Sequence, residues 1–136
     1  PEDIHLEQWN KFMLNTTYNT ISALLGATYG DMDQDQIWDL AQKVSREVQA
    51  VAKAEQVILP DELIIKNHQI IISLGFEGKT SMCQDLEAGR MTENPWFCNT
   101  VIKLGKKHDI PTPTCAILSA LVEAKEHINL RLASIR

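Results

Sequence analysis

The segment at residues 37–51 constrains the fold of this chain more than any other segment. Its apolar residues recur at the i, i+3, i+4, i+7 spacing of one helix face, and they are Ile37, Leu40, Ala41, Val44, Val48 and Val51. Before it, Gly26 and Gly30 interrupt the chain, and Asp31-Met32-Asp33 offers side chains that can cap a helix start. The pattern predicts a long amphipathic helix with one buried face.

Helix signals also occur on both sides of this segment. Residues 4–25 contain few helix breakers and predict one long first helix. Pro60-Asp61-Glu62 places a proline and two acids where a first helical turn favours them, and it predicts a third helix that ends at Gly75. Ser81 with Gln84 is typical of a capping box and predicts a short helix to about residue 89.

Two further helices are predicted to begin at prolines. Asn94-Pro95 and Thr112-Pro113 each combine a capping side chain with a proline at the first helical position. Isoleucine-rich runs also suit strands, but no two such runs are joined by a tight hairpin turn. We therefore predict an all-α fold, a single compact domain of about six helices over residues 1–136.

Composition narrows the class of partner and the compartment. A net charge of −5 gives no basic field that would attract nucleic acid. No window approaches the roughly 20 apolar residues of a membrane span, and the N-terminus lacks a signal pattern. Cys83, Cys98 and Cys115 are an odd number without C-x-x-C spacing, which argues against a disulfide framework or a zinc site. We expect a cytoplasmic protein that binds neither nucleic acid nor a membrane.

Lys11, Asn15 and Asn19 on the first predicted helix are the first candidates for chemistry. Their spacing of four places them on one stripe of a helix. An ammonium can polarise and protonate a carbonyl oxygen, while amides can bind neighbouring carboxylate or hydroxyl groups. A solvated polar face explains the same spacing, although two asparagines are unfavourable in a helix without another purpose.

Other polar and aromatic residues each allow a structural explanation. Ser81 could serve only as a helix cap, and Glu93 precedes a predicted helix start, where a carboxylate is favoured. We expect His68 at the core or its rim, and we assign to the core the aromatic side chains of Trp9, Trp38, Trp96 and Phe97. No glycine-rich dinucleotide or phosphate loop and no serine-nucleophile motif is present, so the chain shows no cofactor site.

Two segments resemble the C-terminal domain of the ketopantoate reductases. They are WNKFMLN at residues 9–15, followed by Asn19, and TSMCQDLEAGRMTE at residues 80–93. Ile110-Pro111-Thr112-Pro113 is similar to the turn before the last helix of the family, so the resemblance extends over nearly the whole chain, from about residue 7 to about residue 126.

The resemblance implies a two-domain enzyme of which this chain is the helical C-terminal half. An N-terminal Rossmann domain, which is not in this chain, would bind NADPH. The helical half would close over 2-dehydropantoate while its ketone is reduced to give pantoate, on the route to pantothenate and coenzyme A. We expect the helical half to be inactive alone and to form a homodimer through the apolar surface that its missing half leaves uncovered.

Residue roles follow from the same resemblance. Lys11 corresponds to the catalytic lysine, and Glu93 to the carboxylate that orients substrate and lysine. Asn15, Asn19 and Ser81 match positions that bind the hydroxyl and carboxylate groups of the substrate.

This sequence departs from the family pattern after Glu93. Members commonly continue with Ile-Asp and have a glycine farther along, whereas Asn94, Pro95 and Asn99 occupy these places here. The departures bear on which 2-oxo acid is reduced. Two alternatives to a reductase remain: a helical dimerisation module without catalysis, and a small-molecule sensor that keeps the acid-binding pocket.

Overall fold

The computed structural model describes residues 2–135, which form six α-helices and contain no strand. The helices are α1 (Glu2–Leu25), α2 (Asp35–Ala54), α3 (Glu62–Ser73), α4 (Ser81–Glu87), α5 (Cys98–His108) and α6 (Pro113–Ile135). Short 3₁₀ turns occur at Gly30–Met32 and Asn94–Trp96. The predicted all-α class and the number of helices are confirmed. Within residues 2–135 no helix is both long enough and apolar enough to cross a bilayer.

Helix α1 is the central element, and α2, α3, α4 and α6 all pack against it. Met13, Tyr18 and Ile21 of α1 are almost completely buried. The periodic face of α2 meets them through Ile37, Ala41, Val44, Val48 and Val51, as its spacing predicted. A helix that is covered on several sides cannot present a continuous solvated face, so the polar residues of α1 include buried ones.

Buried threonines occupy the middle of α1. Thr16, Thr17 and Thr20 have no exposed surface. Thr17 and Ser45 share a hydroxyl–hydroxyl hydrogen bond of 3.2 Å that joins α1 to α2. Gly26, at φ +66°, then ends α1 in the left-handed conformation that glycine adopts without strain.

Two of the predicted helix caps are wrong. The helix α2 begins after Gln34, which makes no side-chain cap, while the Asp31 carboxylate accepts from the Thr28 N–H at 2.9 Å in the preceding turn. At α4 the cap is Thr80, whose hydroxyl accepts from the Cys83 N–H at 3.1 Å. Ser81 is the first residue of that helix and is exposed. Thr80 is buried against α1, and this tertiary contact decides which of the two adjacent hydroxyls becomes the cap.

The helix predicted at Asn94-Pro95 is also different in the structure. Residues Asn94–Trp96 form a 3₁₀ turn, and α5 begins only at Cys98, because Phe97 adopts a backbone conformation (φ −111°, ψ −99°) that interrupts the helix. The start of α6 at Pro113 is as predicted. Trp96 is 71% exposed, so its assignment to the core is wrong, whereas Phe97 is buried.

Candidate functional site

Lys11, Asn15 and Asn19 lie within the uninterrupted helix α1 and follow one another along one of its faces. Lys11 is exposed, and both asparagines are half-buried. At a rise of about 1.5 Å per residue, the Cα atoms of Lys11 and Asn19 are about 12 Å apart along the axis. A distance of this size allows the Lys11 and Asn19 side chains to contact opposite ends of one small organic acid.

The start of α4 is joined to the Asn19 end of the stripe by three hydrogen bonds in series. The Ser22 hydroxyl donates to the Asn19 carbonyl at 3.1 Å, so it accepts from the Thr80 hydroxyl at 2.6 Å. The Thr80 oxygen in turn accepts from the Cys83 N–H. This series attaches the first turn of α4, where Ser81 is exposed, to the α1 turn that carries Asn19.

Lys79 fixes the other side of α4. Its ammonium donates to both carboxylate oxygens of Glu87, each at 3.0 Å. These bonds raise the pKa of Lys79 above its usual value. The residue before the cap is thereby joined to the last residue of α4.

Glu93 is exposed and stands between α4 and the 3₁₀ turn at Asn94–Trp96. Its neighbours are fastened to α6: the Thr92 N–H donates to the Glu126 carboxylate at 2.7 Å, and the Asn94 amide donates to the Ser119 hydroxyl at 3.1 Å. The backbone at Glu93 is held on both sides while its carboxylate remains open to solvent.

A small apolar cluster brings together elements that carry candidate residues. Its buried members are Ala23 of α1, Met82 and Leu86 of α4, Phe97, and Val122 of α6, and Phe12 packs against it. Phe12 adjoins Lys11, Met82 adjoins Ser81, and Phe97 follows the turn after Glu93. The cluster thus packs α1, α4 and α6 together with Phe97, and four of the five candidate residues lie on α1 or α4.

The charged candidates are not paired with each other. Within residues 2–135, the ion pairs are Arg46–Asp61, Lys79–Glu87, Arg90–Asp85, and Glu55 with both Lys107 and His108. Neither Lys11 nor Glu93 belongs to one of these pairs. Lys11, Ser81 and Glu93 are all exposed.

The sequence analysis did not identify the buried polar groups that anchor the segment around Glu93. Glu126 and Ser119, which hold the Glu93 segment, lie on α6 with no motif to mark them, and both are almost completely buried. Asn94 and Asn99, two of the positions that depart from the family pattern, both bond to Ser119. His68 is half-buried at the rim of the core and bonds to the Tyr18 hydroxyl at 2.9 Å, as its position on α3 predicted.

Residues 2–135 thus form an all-α domain in which α4 and the Glu93 segment are joined by hydrogen bonds to α1 and α6. Sequence comparison assigns the family: the chain belongs to the family described as the C-terminal domain of ketopantoate reductase PanE/ApbA, which matches residues 3–126. The resemblance found in residues 9–19 and 80–93 is thereby confirmed.

Individual relatives agree with the family. A 2-dehydropantoate 2-reductase of Mesorhizobium japonicum is 38% identical over 124 residues, which is 89% of this chain and 37% of that protein. A structure described as a 2-dehydropantoate 2-reductase from Enterococcus faecalis is 27% identical, with a TM-score of 0.86 over 95% of this chain and 42% of that one. D-mandelate dehydrogenase, solved with NADH and anilino(oxo)acetate, is 26% identical, with a TM-score of 0.84 over 95% of this chain and 72% of that one.

The chain spans less than half the length of the curated relatives that it matches, 37% of the Mesorhizobium protein and 42% of a reductase from Lactococcus lactis. Those relatives are oxidoreductases by name, and the chain corresponds to their helical C-terminal part. Among residues 2–135 no group of three or more His, Cys, Asp or Glu side chains is placed to hold a metal ion.

Proposed function

We propose that this domain is the substrate-binding half of an NADPH-dependent 2-oxo acid reductase, and that its substrate is 2-dehydropantoate. The observation that carries the proposal is the stripe of exposed Lys11 and half-buried Asn15 and Asn19 on α1, whose Asn19 turn is hydrogen-bonded to the start of α4, in a chain of the ketopantoate reductase family. The whole of residues 1–136 is one domain, and a Rossmann domain precedes it in the same protein.

In the proposed enzyme the cofactor is bound mainly by the Rossmann domain, whose glycine-rich turn between a strand and a helix holds the pyrophosphate of a dinucleotide. When bound there, NADPH supplies a hydride for the ketone carbon. The helical domain binds and orients the 2-oxo acid, and it stabilises the negative charge that develops on the ketone oxygen.

Lys11 is the general acid of the proposed reaction. Negative charge develops on the substrate oxygen as the ketone is reduced, and a nearby ammonium stabilises that charge in the transition state more than in the ground state. Proton transfer from the Lys11 Nζ to this oxygen then yields the neutral hydroxyl. Glu93 orients the lysine and the substrate hydroxyl, while Asn15, Asn19 and Ser81 bind the hydroxyl and carboxylate groups by hydrogen bonds.

A second candidate substrate is a 2-oxo acid with an aromatic substituent. The fold of D-mandelate dehydrogenase matches 95% of this chain at 26% identity. A recess of about 230 Å³ between α1 and α5 is lined by Trp9, Phe12 and Leu104 together with Gln8 and Thr100. An apolar recess of this size suits a phenyl group.

The test is the consumption of reduced nicotinamide by the full-length protein. It would be supplied with NADPH or NADH and, in separate reactions, with 2-dehydropantoate, phenylglyoxylate and a panel of other 2-oxo acids. Turnover with 2-dehydropantoate far above all others is expected. A preference for phenylglyoxylate would keep the mechanism and change the substrate. No turnover by a folded protein that binds NADPH would favour a sensing or dimerisation module instead.

Substitution of Lys11 tests the mechanism directly. We expect Lys11→Met to lower kcat by about 10²–10⁴, the usual scale for a positioned general acid. Lys43→Met is the matched control, because Lys43 is an equally exposed lysine on α2. Both variants would be assayed in the full-length protein at saturating substrate. A loss of less than tenfold for Lys11→Met would remove this residue from the mechanism.

A further inference from the structure

Three hydrogen bonds fix the backbone at residues 92–94. The Thr92 N–H donates to the Glu126 carboxylate at 2.7 Å, and the Asn94 N–H donates to the Thr92 hydroxyl at 3.2 Å. The Asn94 side chain donates to the Ser119 hydroxyl at 3.1 Å. Glu126, Ser119 and Asn94 are 5%, 3% and 1% exposed, so water competes little for these bonds. Glu93 lies between two residues that are anchored to α6.

The hydrogen-bond chain through Ser119 has one direction. The Asn99 amide nitrogen donates to the Glu123 carboxylate at 3.4 Å, and a carboxylate can only accept. The Asn99 oxygen is therefore turned towards Ser119 and accepts from its hydroxyl, as the structure shows. Since the Ser119 proton is used there, its oxygen must accept from Asn94. One serine thus links the segment after Glu93 to α5 and α6.

Within the described residues the Asn94 side chain bonds through its nitrogen alone, which is energetically unfavourable. Its side-chain oxygen is buried and has no hydrogen-bond partner within residues 2–135. An apolar side chain would avoid leaving a buried acceptor unpaired. Asn94 therefore contributes to the anchoring through its amide nitrogen, which donates to Ser119.

We propose that Glu126, Ser119 and Asn94 are positioning residues that hold Glu93, the carboxylate of the proposed reaction, in place. They touch no substrate and act only through the backbone on either side of Glu93. The inference rests on the proposed function, because it assigns these residues to the geometry of that reaction. Its physical reason is that an exposed carboxylate on a loose segment samples many places, whereas one on a fixed backbone samples few.

The experiment compares two serines in the full-length enzyme. Ser119 and Ser45 are both 3% exposed and both hydrogen-bonded, but Ser45 bonds to Thr17 on the α2 side of α1. We expect Ser119→Ala to lower kcat about tenfold, with KM changed less than about threefold, since small misplacements of a catalytic group are costly. Ser45→Ala should leave both constants within about twofold of wild type. Thermal unfolding of each variant would be measured in parallel.

Two substitutions of Glu126 test whether a hydrogen-bond acceptor at this position is enough to maintain turnover. Glu126→Gln keeps an oxygen that can accept from the Thr92 N–H, whereas Glu126→Leu keeps the volume and removes the acceptor. We expect the glutamine variant to retain most of the turnover and the leucine variant to lose about tenfold or more. A merely structural role would instead make kcat follow the loss of thermal stability in all four variants.

Hydrogen exchange gives a readout that does not need activity. Peptides that cover residues 90–97 should exchange faster in Ser119→Ala than in Ser45→Ala. Faster exchange with unchanged kcat would show anchoring without positioning and would overturn the inference. Equal kcat for Ser119→Ala and Ser45→Ala in an active enzyme would overturn it as well, while the proposed function would stand. A wild-type protein inactive with every 2-oxo acid would remove both.

Discussion

His68 is held between two aromatic side chains at the rim of the core. Its Nδ1 shares a 2.9 Å hydrogen bond with the Tyr18 hydroxyl, and its ring centroid is 4.6 Å from that of Trp38. Burial lowers the pKa of His68 below its usual value of 6.5, and the nearby Asp33 carboxylate opposes this effect only in part. The folded state therefore favours the neutral imidazole. The unfolded state takes up the proton first as the pH falls, so stability decreases below about pH 6.5.

We expect the substitution of His68 to reduce this pH dependence of stability. His68→Gln removes the titrating group and keeps an acceptor for the Tyr18 hydroxyl, so the loss of stability between about pH 7 and pH 5 should become smaller. His5→Gln is the control, because His5 is a histidine that is exposed on α1. The measurement is the urea midpoint across this range. Parallel pH profiles for wild type and His68→Gln would contradict the assignment.

The candidate residues differ in how far the sequence could reveal them. Lys11, Asn15 and Asn19 share a helix, so spacing alone places them on one face. The nearness of Ser81 to this face depends on the Ser22–Thr80 contact between α1 and α4, and no local pattern encodes such a contact. Only the family resemblance suggested it. The anchors of Glu93 come from α6, and neither spacing nor resemblance indicated them.

Among the elements, helix interiors were easier to predict than helix starts. The apolar period of α2 fixes its buried face wherever the helix packs, and the structure confirms it. Helix starts depend on competing hydrogen bonds. Asp31 is used in the turn before α2, and Thr80 replaces Ser81 at α4 because its hydroxyl can also reach Ser22. Neighbouring capping side chains have similar intrinsic preference, and tertiary contacts decide between them.

The start of α6 is capped from another helix. The Glu47 carboxylate of α2 accepts from the N–H groups of Thr114 and Cys115, each at 2.8 Å. A carboxylate at a helix N-terminus satisfies free donors and interacts favourably with the helix dipole. We expect Glu47→Ala to reduce the free energy of unfolding by about 1–2 kcal/mol.

Two further variants test whether the cap accounts for the loss of stability in Glu47→Ala. Glu47→Gln keeps one accepting oxygen and should cost less than the alanine variant, whereas Glu77→Ala in an exposed loop should change the unfolding free energy by less than about 0.5 kcal/mol. Urea denaturation monitored by helical circular dichroism measures all three. Equal stability of Glu47→Ala and Glu77→Ala would show that the cap contributes nothing.

At the scale of the whole molecule, two sets of exposed apolar side chains bear on how it could contact other bodies. Met91 and Trp96 lie on either side of Glu93, where an upstream domain that closes over the substrate would cover them. The second set lies on α6, at the spacing i, i+4, i+11, i+15, which is one helix face: Ile117, Leu121, Ile128 and Leu132. This face is distinct from the buried face of α6, which carries Leu118, Val122 and Glu126. Because the two sets lie on different elements, we expect them to contact different partners.

We predict that the α6 face pairs two copies of the chain about a twofold axis. Apolar residues at coiled-coil spacing bury one another when two such helices meet, and a twofold axis brings the same face of each copy together. Sedimentation velocity should show a dimer whose population rises with concentration, and Ile128→Glu should dissociate it because a charge at the contact must be desolvated. Trp96→Glu, at a more exposed apolar position near Glu93, should leave the dimer intact. A chain that stays monomeric at every concentration would refute the pairing, and dissociation by Trp96→Glu alone would place the contact on the face that carries Glu93.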